Sequence, residues 1–179
     1  MTVQEARLEQ TPEGTVVASD GWFVLNVGDT AWLRDERGGG EWTSLEPEGG
    51  RFEQYGIGIH VLHPGERNGY YHSESMQEDF LVLSGECLLL VEEQERRLKA
   101  WDFVHCPPGT HHIFVGAGDG PCAILIVGAR SDANRLHYPV SELAARHGAS
   151  SAVDTDSARV AYADWPRDHV RMRLPWPRA

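Results

Sequence analysis

The stretch Gly65-Glu-Arg-Asn-Gly-Tyr-Tyr-His72-Ser-Glu74-Ser-Met-Gln-Glu78-Asp-Phe-Leu-Val-Leu-Ser-Gly85 decides how this chain folds. His72 and Glu74 are two residues apart, so on a strand their side chains share one face. Glu78 follows a short polar run, where a turn brings it back beside them. Phe80-Leu81-Val82-Leu83 then reads as a strand buried on both faces, ended by a Ser84-Gly85 turn. A second stretch, Asp102-Phe-Val-His-Cys-Pro107-Pro-Gly109-Thr-His111-His112-Ile-Phe114, repeats the design. There a short strand is stopped by Pro107-Pro108-Gly109, and a new one starts at His112. Imidazoles and carboxylates gathered on one inward face suit a borderline divalent ion, with neutral nitrogens giving directional bonds and carboxylates giving charge.

Outward from these two stretches, the chain keeps the same texture. Short β-branched and aromatic runs predict strands over Trp22–Val27, Gly56–Leu62, Tyr70–Glu74, Asp79–Leu83, Cys87–Glu92, Arg96–Lys99, Phe103–Cys106, His112–Val115 and Cys122–Ala129. Between them stand turn signals such as Pro64-Gly65, Asn68-Gly69 and the run Gly116–Pro121. The expected class is all-β. Arg34 to Gly50, rich in Gly and Glu around Trp42, reads as a loop or loose arm. After Arg130 the texture changes, and Ser141 with Gly148 brackets a helix over Glu142–His147. A second short helix is expected from Asp156 to before Trp165-Pro166. The resulting division is an N-terminal arm with flanking strands (1–55), a core (56–128) and a C-terminal extension with short helices (129–179).

The two stretches resemble the paired motifs of the cupin superfamily, G-x5-H-x-H-x3-E-x6-G and a G-D turn with P-x-G-x2-H. Gly65 (displaced by one position), His72, Glu78 and Gly85 match the first; Asp102, Pro107, Gly109 and His112 match the second. The resemblance implies a jelly roll, a double-stranded β-helix of two antiparallel sheets, with a metal or ligand site in its mouth. It implies that His72, Glu74, Glu78 and His112 occupy the metal-ligand positions and that one divalent ion (Mn, Fe, Zn or Ni) is the cofactor. The chain departs from the pattern twice: Glu74 stands where the family has its second histidine, and Trp101 replaces the turn glycine before Asp102. Two carboxylates on one ion would neutralise it, weaken its Lewis acidity and favour oxygen-preferring ions such as Mn²⁺ or Fe²⁺.

Other residues carry weaker expectations. Tyr70 shares the predicted face of His72 and Glu74 and is the first candidate for pocket lining, with His60 or His63 beside it. Alternation points His111 away from the metal positions, and His105 reads as a core histidine. Phe80, Phe114 and Trp101 read as core. Cys87, Cys106 and Cys122 form no CxxC pair, so they read as buried reduced thiols. A net charge of −11 disfavours nucleic acid as a partner. The terminal arginines Arg167, Arg171, Arg173 and Arg178 read instead as a docking tail. No window is apolar enough to span a membrane, and residues 1–10 lack a signal-peptide core, so the expected location is cytoplasmic. Leu88–Val91 and the tryptophans Trp22, Trp32 and Trp42 offer more apolar surface than one small barrel hides, which predicts a homodimer. The expected function is a metal-binding protein that acts on or binds a small organic molecule in the barrel, as a dioxygenase or isomerase. A non-catalytic binder and a structural or regulatory dimer stay open beside it.

Overall fold

Fourteen strands and two short helices make up the fold, in a computed structural model that describes residues 2–35, 39–165 and 169–174. In chain order the strands are β1 (Leu8–Thr11), β2 (Gly14–Val17), β3 (Ala31–Asp35), β4 (Gly40–Ser44), β5 (Tyr55–Leu62), β6 (Ser73–Glu74) and β7 (Glu78–Ser84). They continue as β8 (Glu86–Val91), β9 (Gln94–Lys99), β10 (Phe103–Cys106), β11 (His112–Ala117), β12 (Cys122–Ala129), β13 (Leu136–His137) and β14 (His169–Arg173). Both helices, α1 (Glu142–Arg146) and α2 (Ala158–Ala161), follow Pro139. Ser141 caps α1 by accepting the Ala144 amide at 3.1 Å, and Gly148 takes φ +66 just beyond it, as their residue types lead one to expect.

One sheet has seven strands in the order β10-β7-β12-β5-β4-β3-β14, and a facing sheet has three in the order β11-β8-β9. Alternation aims Leu62 of β5, Phe80 and Val82 of β7, Leu89 of β8, Phe114 of β11 and Ile124 of β12 into one shared core. Cys87, Cys106 and Cys122 are free, buried thiols in that same core. Outside the small sheet, Leu90, Ile113 and Val115 are covered by Leu143 and Ala144 of α1. Outside the large sheet, Trp32, Ile59, Val61 and Ala123 form a third cluster. The all-β jelly roll read from the sequence is the observed architecture.

Several expectations need correction. Arg34 to Gly50 is not loop throughout: Arg34, Asp35 and Gly40–Ser44 belong to the β3–β4 hairpin, which extends the large sheet through pairing of β4 with β5, and residues 45–50 lie in no strand. The Gly- and Glu-rich composition hid the alternation Glu41-Trp42-Thr43-Ser44. Trp22–Val27 is not a strand; Trp22 and Val24 are exposed, and Asn26 accepts the Gly28 amide to start a 3-10 turn over Val27–Asp29. Strand β6 begins only at Ser73, after an isolated bridge at His72, and not at Tyr70. Trp101 is 76% exposed rather than core, and His105 lies on the surface 2.6 Å from Asp79. Leu89 and Leu90 are covered within the chain, and Trp32 is fully buried, so these residues supply no spare apolar surface for pairing. Of the proposed tail, Arg171 and Arg173 lie in β14, while Arg167, Asp168 and Arg178 fall outside the described residues.

The loop that leads to His72 is held hard against the barrel. The Gly65 amide donates to the Gly116 carbonyl and the Gly116 amide to the Glu66 carbonyl, at 2.9 and 2.8 Å. A side chain at Gly116 would put its Cβ 2.1 Å from the His63 carbonyl oxygen, so only glycine allows this approach.

Candidate metal centre

His72 and His112 face each other across an isolated antiparallel bridge. The His112 amide donates to the His72 carbonyl at 2.8 Å and the His72 amide to the His112 carbonyl at 3.2 Å. Directly opposed residues project to the same side, and the two imidazole centroids are 5.2 Å apart. Glu78 opens β7, two residues before the core Phe80 and on the same inward face. As a result one ligand atom each from His72, Glu78 and His112 falls within 4.8 Å of the others. The sequence spacing brings these three together.

The bonds around the triad prepare it for a cation. His72 Nδ1 lies 2.7 Å from the Tyr70 carbonyl and His112 Nδ1 lies 3.0 Å from the Thr110 carbonyl. Each carbonyl holds a proton on Nδ1 and turns Nε2 inward, where its lone pair can serve a cation that displaces any proton there. Glu78 Oε2 is 3.3 Å from His112 Nε2, yet it is buried with no aligned hydrogen bond. A buried carboxylate oxygen without a partner costs on the order of 1–3 kcal/mol or more. Two inward lone pairs and one orphaned carboxylate oxygen therefore fit a divalent ion.

Protonation follows the same geometry. Burial, and then the charge of His112, push His72 down to about 4. Burial also works to lower His112, but its contacts with Cys106 and Glu78 prevail and raise it to about 10. Without a cation, one proton is thus kept on His112 beside Glu78.

Glu74 stands next to the triad rather than within it. Its Oε1 is 3.9 Å from His72 Nε2, and its Oε2 accepts a 2.6 Å bond from Asn134 Nδ2. Burial, then the charge of Glu78, raise its carboxyl above the usual range. Glu74 and Glu78 line a cleft of about 470 Å³ together with Trp42, His60, Arg130 and Asn134. His60 shares the inward face of Leu62, stacks on Trp42 at 6.3 Å and keeps a buried, unpartnered Nδ1. Arg130 is held by Glu46 through two bonds of 2.7 and 2.9 Å.

Tyr70 does not line this cleft. It packs against Tyr162 and Trp165 at 4.9 Å each, because the chain is not yet in a strand there and alternation does not apply. His63 lies on the other side of the sheet beside Glu41, and the His111 amide bonds Glu92, away from the triad. Asn134 and Tyr138 escaped the sequence reading. Tyr138 stacks on His72 at 5.4 Å, and both residues come from the segment after β12, where no periodicity or motif marks them.

The family described as Cupin domain matches residues 58–128, the span that contains all four sequence-predicted ligand positions. Residues 58–128 are a cupin domain. Two solved structures match the chain with a TM-score of 0.51 each. One, from Acidithiobacillus ferrooxidans and provisionally named a sugar phosphate isomerase, is 25% identical over 56% of this chain and 67% of its own. The other, a sugar phosphate isomerase from a cupin superfamily in Silicibacter pomeroyi, is 27% identical over 57% of this chain and 65% of its own. The chain therefore spans about two thirds of the length of each. No curated protein matches it. Among the described residues no helix is long and apolar enough to cross a membrane.

Proposed function

We propose that the cupin barrel holds one divalent ion on His72, Glu78 and His112 and isomerises a small hydroxy-carbonyl substrate of the sugar phosphate class. The observation that carries the metal assignment is the buried, unpartnered Glu78 oxygen beside two inward imidazoles. The substrate class comes from the two structures at 25% and 27% identity, both named for that activity. An isomerase is favoured over a dioxygenase because the proton transfers it needs can be made by groups already in the cleft. A bound divalent ion would supply positive charge to the substrate oxygens.

The chain's own residues supply the proton chemistry. Glu74, with its raised carboxyl and one oxygen fixed by Asn134, is the base. It takes the proton from the carbon beside the carbonyl, giving an enediolate, and returns it to the former carbonyl carbon. The hydroxyl proton passes from one substrate oxygen to the other through solvent in the cleft that His60 and Glu74 line. One C–H bond breaks and one forms, with no net oxidation, so no further reactant is required. Trp42, stacked on His60, forms an apolar wall of the cleft.

The test is solvent exchange. Manganese-loaded protein in D₂O, given a panel of aldose and ketose phosphates, is expected to incorporate deuterium beside the carbonyl of at least one, as read by NMR. Glu74→Gln should keep the metal and lose exchange by roughly 100-fold or more. Absence of exchange across the panel would reject the isomerase reading, and loss of metal in Glu74→Gln would make Glu74 a ligand instead.

A further inference from the structure

We propose a second divalent-cation site, on the face of the large sheet opposite the imidazole triad, formed by Glu41, His63 and Glu66. Trp42 of β4 stacks inward on His60, so alternation turns its neighbour Glu41 outward, opposite Val61 in the β4–β5 register. His63 follows the end of β5, and Glu66 lies in the loop pinned by Gly116. One ligand atom from each of the three falls within 4.8 Å of the others.

The feature that points to a ligand is Glu41. It is only 3% exposed, and its Oε2 is fully covered with no hydrogen-bond partner. Arg34 pairs with the other oxygen, Oε1, and reaches Glu66 Oε1 at 3.6 Å. One guanidinium facing two carboxylates leaves a net charge of −1 and one buried oxygen without a donor. A cation at this point meets both needs.

The other donors are already oriented. Glu66 Oε2 accepts the His63 amide at 2.9 Å, which fixes the carboxylate beside the ring. His63 Nε2 is 3.5 Å from Glu41 Oε1, and the ring is half-exposed, so an ion can enter from solvent. One imidazole and two carboxylates form a donor set suited to Zn²⁺. Glu41 and His63 also line a cavity of about 500 Å³, walled by Val61, Ala123, Met172 and Leu174, with room for water or a ligand's polar atom.

Calorimetric titration of chelator-stripped, full-length protein with Zn²⁺ tests the proposal. Wild type is expected to bind two equivalents, and the double variant His72→Ala/His112→Ala one. Adding His63→Ala to that double variant should abolish binding. His63 is half-exposed, so its replacement leaves the core intact, and thermal melting of each metal-free variant checks that the fold is kept. If the double variant binds no Zn²⁺, or keeps its equivalent after His63→Ala, the outer site is rejected. A wild type that binds one equivalent, dependent on His63 and not on His72, would uphold the outer site and reject the inner one.

Discussion

His60 has a fully covered Nδ1 without a partner, and burial drives its value from 6.5 down to about 4. The folded state therefore keeps the ring neutral, whereas the unfolded chain takes up a proton below 6.5. Because the folded value is depressed, this contribution to stability is fully present above about pH 6.5 and is lost as pH falls towards 4. The shift corresponds to up to about 3 kcal/mol. His60→Gln is expected to flatten this acid limb in urea unfolding measured between pH 7 and pH 4. An unchanged limb would mean that His60 titrates normally in the fold. At this scale the sequence was most informative where spacing and chemistry agree: the spacing His72, Glu78, His112 carried over into a compact triad. It was least informative where a side chain leaves the strand pattern, as Tyr70 does, or where partners lie far along the chain, as Asn134 does from Glu74.

The turn between β9 and β10 tests the reading of elements. Trp101, standing where the cupin pattern has glycine, takes φ +74, and its amide donates to the Val82 carbonyl at 2.8 Å. A left-handed conformation costs a non-glycine residue about 1–2 kcal/mol. The side chain, being mostly exposed, returns little of that through burial. Trp101→Gly is therefore expected to stabilise the protein by about 0.5–1 kcal/mol, seen as a higher denaturant midpoint at unchanged slope. A lower midpoint would show that the indole contributes more than the strain costs. The strands around this turn were legible because their apolar runs end at Gly and Pro; β10 and β12 have the predicted limits, Phe103–Cys106 and Cys122–Ala129. β3 and β4 were not, because hairpin pairing can sequester charged residues such as Glu41 that composition assigns to solvent.

Across the whole molecule, the segment matched as a cupin domain is not a self-sufficient unit. Its strand β5 pairs with β4, and its outer residues Ile59, Val61 and Ala123 pack on Trp32 from β3. A fragment of residues 56–128 would expose both that strand edge and that apolar face. It is expected to aggregate or to lack dispersed amide resonances, whereas the full chain unfolds in one transition; a folded, monomeric fragment would contradict this. The helices after Pro139 belong to the same unit, since α1 covers the outside of the small sheet and Tyr138 backs His72. All of these layers converge on His72, Glu78 and His112, the residues proposed to hold the inner ion. The most direct measurement is an anomalous difference map from crystals grown with Mn²⁺. The account predicts a peak roughly 2.0–2.3 Å from His72 Nε2, His112 Nε2 and a Glu78 carboxylate oxygen. A map with no peak between those three residues, at full density for their side chains, would contradict it.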